Sequence, residues 1–150
     1  MEYFKNNRNG ITLIELLTVI AIIGVTVSIS AAVLKQYQPN IRLYTAGKTL
    51  RSELSNARMK TIAEQKTYGI HFTQGLNQYE LVLVDGTTET QKTYPLSESI
   101  SFTSVGPFTN DVVTFNKAGI PSENGSIVLQ TADGGTKTIT INPSGYVHAD

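Results

Sequence analysis

Between Ile11 and Leu34 a single ionisable side chain, Glu15, interrupts an otherwise apolar run. No other feature narrows so sharply what this chain can become. A run of roughly 24 residues rising about 1.5 Å each makes a helix of about 36 Å, enough to cross a hydrocarbon core of about 30 Å with some tilt. A carboxylate inside such a helix costs about 3 kcal/mol at the bilayer centre and less near an end. Glu15 lies about one turn inside the run, behind a short polar segment. Its presence there asks for a reason.

Lys5 and Arg8 stand directly before the run, with Glu2 the only acid among residues 1–9. By the positive-inside tendency the N-terminus stays cytoplasmic and everything after Leu34 is exported, although Lys35 lessens the contrast. From the residues alone, two readings stand open. One is an ordinary secretory signal, with Ser28-Ile29-Ser30-Ala31-Ala32 as a small-residue cleavage region, but the run exceeds the usual apolar core of about 7–15 residues. The second is a plain uncleaved anchor.

The rest of the 150 residues leaves room for one modest domain. Formal net charge is zero, so no global field draws the chain to nucleic acid or to anionic membrane. There is no cysteine, which excludes disulfide bracing and zinc sites of the cysteine kind. From Lys35 to Lys66 the chain is polar but keeps helical spacing. Leu43, Ala46, Leu50, Leu54, Ala57 and Ile62 form one apolar stripe. The pattern predicts an amphipathic helix to about Ala63, with a kink or short break at Pro39 and its stripe against the following domain. Arg51, Arg58 and Lys60 alternate with Glu53 and Glu64, which reads as a solvated face rather than a basic patch.

After Gln65 the pattern changes to short strands separated by turn residues. Strands are predicted at Thr67–Phe72, Gln78–Asp85, Thr90–Tyr94, Ser99–Ser104, Val112–Phe115, Gly125–Thr131 and Lys137–Asn142, with Tyr146-Val147 closing the chain. Alternation of Ile127 with Leu129, and of Ile139 with Ile141, gives strands with one buried face. The predicted class is α+β: a long N-terminal helix packed on two small antiparallel sheets. The predicted organisation is a leader over 1–10, a transmembrane and assembly helix over 11–34, an amphipathic helix over 35–66 and a β domain over 67–150.

Catalytic machinery is not predicted. His71 and His148 are far apart, and no Gly-x-Ser-x-Gly elbow, phosphate loop or His-Glu-x-x-His occurs. Ser144, His148 and Asp150 sit at a terminus too prone to fray to hold a triad. Asp85, Asp111 and Asp133 lack the spacing of a dedicated calcium loop. No cofactor or metal is expected.

Gly10-Ile11-Thr12-Leu13-Ile14-Glu15-Leu16-Leu17 resembles the processing site of type IV pilins and of the pseudopilins of type II secretion systems. The resemblance implies that a prepilin peptidase cuts after Gly10 and methylates the new amino group of Ile11. The mature chain would then begin inside its own membrane helix. Glycine suits the scissile position because an extended backbone must lie close to the enzyme. Ile11 stands where the family most often has phenylalanine, and no proline falls late in the span. Helical side chains lean toward the N-terminus, so Glu15 points back at the new amine. A neighbouring copy shifted by about one turn would bring its Ile11 amine level with Glu15, making the carboxylate an assembly register. The competing reading has Glu15 snorkel to the interface or pair with its own amine.

Downstream, Leu50-Arg51-Ser52-Glu53-Leu54-Ser55-Asn56-Ala57-Arg58, Val113-Thr114-Phe115-Asn116-Lys117-Ala118-Gly119-Ile120-Pro121 and Ile139-Thr140-Ile141-Asn142-Pro143-Ser144-Gly145 are similar to minor pseudopilins of the GspH/FimT kind. One branch of that family binds DNA through a terminal Gly-Arg-x-Arg. Here Tyr146 and His148 stand where the arginines would be, and two lost cations argue against DNA as a partner.

The reading is therefore a minor pseudopilin of a type II secretion pseudopilus or type IV pilus-like filament. The partners implied are prepilin peptidase, other pilin or pseudopilin subunits, an inner-membrane assembly platform and membrane lipid. Its place would be the inner membrane, single-pass, with the C-terminal domain outside the cytoplasm. A FimT-like DNA-binding minor pilin and an anchored β domain of unrelated role are the alternatives.

Overall fold

The computed structural model describes residues 10–150, with side chains described outside residues 29–36. The expected leader, with Lys5 and Arg8, therefore lies outside the described residues except for Gly10. A single helix, α1, spans Leu13–Glu64. The chain divides into two units, residues 1–38 and Pro39–Asp150, and the division falls within α1. Helical backbone continues through Pro39, so the short break allowed for there does not occur. Proline removes one backbone donor, and the helix continues past it to Glu64. Among the described residues no helix is long and apolar enough to cross a membrane. Described side chains of the apolar run stop at Ser28, short of the roughly 20 residues a span needs. The remainder, to Leu34, lies outside them.

In the second unit α1 buries Leu43, Gly47, Leu50, Leu54, Ala57 and Thr61, steps that alternate between four and three residues and so hold one face. The predicted stripe differs at two places. Ala46 is only half-buried and Ile62 is 41% exposed, while Gly47 and Thr61 occupy the inward positions. Each carries a packing reason. A Cβ on Gly47 would come within 2.8 Å of Lys137 Cγ. The fully buried Thr61 hydroxyl donates to the Ala57 carbonyl at 3.0 Å and accepts the Tyr68 N–H at 2.9 Å, which stitches the helix end to the first strand. Gln65, at φ +56°, turns the chain out of the helix.

Eight strands follow: β1 Tyr68–Thr73, β2 Gln78–Asp85, β3 Thr87–Pro95, β4 Ile100–Val105, β5 Val112–Thr114, β6 Gly125–Thr131, β7 Thr136–Ile141 and β8 Val147–Ala149. They form two four-stranded sheets, in the orders β3-β2-β1-β5 and β4-β6-β7-β8. Every pairing is antiparallel. This is the predicted α+β class. Bulges at Leu81/Val82 and Phe102/Ser104 interrupt the β2–β3 and β4–β6 ladders.

One continuous core joins both sheets and the helix stripe. Ile70, Phe72 and Val113 come from the first sheet; Ile127, Leu129, Ile139 and Ile141 from the second; Leu50, Leu54 and Ala57 from α1. Burying a side chain of the leucine, isoleucine or phenylalanine class stabilises by about 1.5–3 kcal/mol, so this shared layer is what makes sheets and helix fold as one. Phe72 of β1 bridges the sheets. Its ring stacks on Phe108 (5.9 Å, 20°) and meets Phe102 of β4 edge-on (5.9 Å, 81°).

Arg51 is exposed, as a solvated face requires, and Arg58 is half-buried, yet both also reach backbone carbonyls of the β domain. Arg51 Nε donates to the Val147 carbonyl at 3.0 Å, holding β8. Arg58 Nε donates to the Gly119 carbonyl at 2.8 Å and Nη2 to the Ser144 carbonyl at 3.4 Å. Gly119 and Gly145 close two matching turns, Asn116–Gly119 and Asn142–Gly145, each with the glycine N–H bonded back to the asparagine carbonyl. Both glycines sit near φ +78°, the left-handed region. Arg58 thus pins two turns that lie far apart in sequence. Lys60 lies over the Tyr68 ring, 5.2 Å from its centroid.

Candidate assembly and processing site

Thr12 begins the helix. Its carbonyl accepts the Leu16 N–H at 3.1 Å and its hydroxyl accepts the Glu15 N–H at 3.3 Å. A threonine that caps a helix, with glutamate three residues on, is the first half of a capping box. The Thr-x-x-Glu spacing is legible in the sequence, and the hydrogen bond is what identifies Thr12 as the cap. Glu15 therefore sits in the first turn of α1, where the unpaired N–H groups favour negative charge by about 0.3–1 kcal/mol. No described cation lies within ion-pair distance of Glu15; the described ion pairs are His71–Glu80 and His148–Asp150.

Gly10 is exposed, and a Cβ built on it meets nothing within 4 Å. The chain's own packing places no demand for glycine there. Gly24, in the middle of α1, is equally open, although glycine inside a helix costs about 0.5–1 kcal/mol relative to alanine.

The apolar residues that follow are bare. Exposure is 78% at Ile11, 77% at Leu13 and 69% at Ile14, and still 60% at Val27. Leu16, Leu17, Ile20, Ile22, Ile23 and Val25 are exposed as well, on every side of the helix. A helix apolar all round belongs in a medium other than water. Its hydroxyls are already satisfied within it. Thr18 donates to the Ile14 carbonyl at 2.7 Å, Thr26 to the Ile23 carbonyl at 2.9 Å and Ser28 to the Gly24 carbonyl at 2.8 Å.

Elsewhere the described residues bring together no group of three or more side chains able to hold a metal ion. Asp85 ends β2, Asp111 lies in a short 3-10 turn (Thr109–Asp111) and Asp133 lies between β6 and β7. His71 pairs across the strands with Glu80 at 3.5 Å. His148 meets Asp150 at 3.4 Å, and its ring stacks on Tyr146 with centroids 6.1 Å apart. A groove of about 380 Å³ runs between α1 and the β3–β4 connection, lined by Ile41, Tyr79, Tyr94, Leu96 and Ile100, with Arg42 at its side.

Residues 46–145, two thirds of the chain and nearly all of its packed part, match the family described as Type II transport protein GspH. The chain belongs to that family. Residues 5–31 match the prokaryotic N-terminal methylation motif, the stretch that holds Gly10, Ile11 and Glu15. A pilin-like protein of Thermus thermophilus, PilA1, is 28% identical over 92% of this chain and 96% of its own length. Two solved structures share the fold. The minor pseudopilin EpsH of the Vibrio cholerae type 2 secretion system superposes with a TM-score of 0.63 at 7% identity, over 73% of this chain and 96% of its own. The type IV minor pilin FimU of Pseudomonas aeruginosa gives 0.60 at 14% identity, over 76% and 91%. This GspH-family chain is a pilin-like subunit that carries the N-terminal methylation motif, and its structural neighbours are subunits of pilus-like assemblies rather than enzymes.

Proposed function

We propose that this chain is a minor pseudopilin, cut after Gly10, methylated on Ile11 and assembled into a filament through its N-terminal helix. The observation that carries the reading is the bare apolar surface from Ile11 to Val27, with its hydroxyls bonded internally. Such a surface is stable in lipid or against like helices and nowhere else. Gly10, which nothing in the chain's own packing requires, supports a site read by an external enzyme. Gly24 supports close approach of a neighbouring helix.

In this reading residues 1–10 are the leader, 11–34 cross the inner membrane, and 35–66 carry the helix into the exported β domain of 67–150. Prepilin peptidase removes the leader on the cytoplasmic side. Other pilin or pseudopilin subunits, and an inner-membrane assembly platform, then receive the mature chain. Glu15 is the register: its charge is costly in a dry medium and is relieved by the Ile11 amine of a neighbour. The chain itself catalyses no step.

The test is the mass of the N-terminal peptide after co-expression with a prepilin peptidase. A peptide starting at Ile11 and heavier by one methyl group is expected. It should persist in Glu15→Ala, which should lose only incorporation into filaments. An intact leader, or a cut near Ala31-Ala32, would return the chain to an anchored or secreted β domain.

A further inference from the structure

The groove of about 380 Å³ between α1 and the β3–β4 connection has walls that the fold itself holds in place. Tyr79 and Tyr94 stand opposite each other on β2 and β3, and their rings stack at 5.1 Å. The Leu96 N–H donates to the Asn77 carbonyl at 3.0 Å and the Ile100 N–H to the Ser97 carbonyl at 2.8 Å, which fixes the connection. Ala46 and Thr49 line the groove from α1. The volume falls among small-ligand sites of about 300–1,000 Å³, which are likewise lined by apolar and aromatic side chains with few polar groups. A helix, about 10–12 Å across with its side chains, is too large for it.

Arg42 is the one charged side chain in the lining, and no lining residue is acidic. It is exposed and has no carboxylate within ion-pair distance among the described residues. Lys92 adds a second cation over the ring of Tyr94, 4.7 Å from its centroid. An apolar hollow with cations beside it fits a molecule with an apolar tail and an anionic head. The place of the groove in the chain narrows the source. Ile41 follows Leu34 by seven residues, at most about 25 Å even if fully extended. The headgroup layer occupies about 5–8 Å of that distance. Tyr37 and Tyr44, both exposed, flank Ile41 in sequence, and tyrosine gathers where membrane meets water.

Resting on the reading of residues 11–34 as a membrane span, we propose that the groove takes an acyl chain of an anionic phospholipid from the exported leaflet of that membrane, with Arg42 on the headgroup phosphate. The tail covers the apolar walls, and the planar guanidinium matches phosphate geometry with paired N–H donors. The head needs no deep pocket, because Arg42 stands in solvent at the groove's side. The contact ties the exported domain to the leaflet at a point separate from its span. A subunit held in this way waits at the membrane surface in a limited set of orientations.

The test places the full-length chain in phosphatidylcholine vesicles. These carry a trace of phosphatidylglycerol or of phosphatidylcholine with a photoreactive diazirine at the end of one acyl chain. After illumination, mass spectrometry maps the adducts. They are expected on residues 96–100 and 41–49 as well as within 11–34. Thr49→Trp, made at an exposed position, fills the groove and should remove the adducts on 96–100 while sparing those in the span. Arg42→Glu should lower the groove's preference for phosphatidylglycerol about fivefold, the worth of one basic side chain at an anionic surface. Arg42 is exposed, so this variant reports on the headgroup even if Thr49→Trp disturbs the fold. Adducts confined to residues 11–34 overturn the proposal, as do groove adducts that neither variant changes. Thr49→Trp blocking incorporation into filaments, with no groove adduct in either vesicle, also overturns it and assigns the groove to a neighbouring subunit. Adducts in the span alone remove this contact only, whereas a chain with none on residues 11–34 removes the membrane reading beneath it.

Discussion

Single side chains decide several joints of this molecule, and the most consequential are ones a hydrophobicity pattern passes over. Thr61 falls on the inward face of α1 yet is polar. Its hydroxyl serves the Ala57 carbonyl and the Tyr68 N–H together, at full burial. Thr61→Val keeps the shape and removes the hydroxyl, leaving the Tyr68 donor with no acceptor. Stranding a buried donor costs about 1–3 kcal/mol, so the urea midpoint of the folded unit should fall, and Thr61→Ser should recover most of the loss. Thr12 acts in the same way at the other end of the helix, where its hydroxyl holds the Glu15 N–H. Both residues are β-branched hydroxyls at helix positions where apolar counting finds nothing. What makes them legible is the partner they bond, and for Thr61 that partner belongs to the next element.

Among the elements, α1 is tied to the sheets by its apolar stripe and by two arginines that reach loop and strand carbonyls. Arg58→Lys should be a poor replacement, because an ammonium cannot reproduce the fork that meets Gly119 and Ser144 together. We expect Arg58→Lys to lose about 1.5–2 kcal/mol, at the low end of the range for hydrogen bonds to charged groups. Amide exchange should rise first at the Asn116–Gly119 and Asn142–Gly145 turns. The strands themselves were readable. β2 and β6 have the predicted bounds, and most others shift by a residue or two, because alternation and turn residues report directly on which face is buried. β3 begins three residues before its predicted start. Its Thr87–Glu89 segment is wholly exposed, so no burial pattern marks it. The anchoring bonds of Arg51 and Arg58 are not legible for the opposite reason: their acceptors are backbone carbonyls, which no residue identity reveals. At the candidate site the apolar run and its lone carboxylate were plain in the sequence, whereas the helix cap needed the hydrogen bond to be seen.

On the scale of the whole molecule, ionisation of the phenols at Tyr68, Tyr79 and Tyr94 opposes folding, and Tyr79 is the most deeply affected. The Tyr79 phenol is pushed well above its ordinary range, first by burial, then by the Glu53 carboxylate and by Tyr94, on whose ring it stacks at 5.1 Å. In the unfolded chain the same phenol loses its proton near pH 10. The stability it contributes is therefore complete below about pH 10 and is lost as pH rises from there toward the folded value. Tyr79→Phe should flatten the alkaline limb of a stability-against-pH curve measured between pH 9 and 12 (a range of about three units around that value), while leaving neutral pH behaviour nearly unchanged. Under the proposed function the apolar stretch from Ile11 to Ser28 obeys a different rule, since its medium there is lipid or like helices. Because Thr18, Thr26 and Ser28 bond within the helix, the segment brings its own solvation with it and asks only that its surroundings be dry. Passing from lipid into a bundle of like helices then exchanges one dry medium for another, with no hydroxyl to strip of water. Only Glu15 distinguishes the two destinations. In the proposed filament the helix body is therefore indifferent to the direction of travel, and direction is left to whatever does work on the assembly.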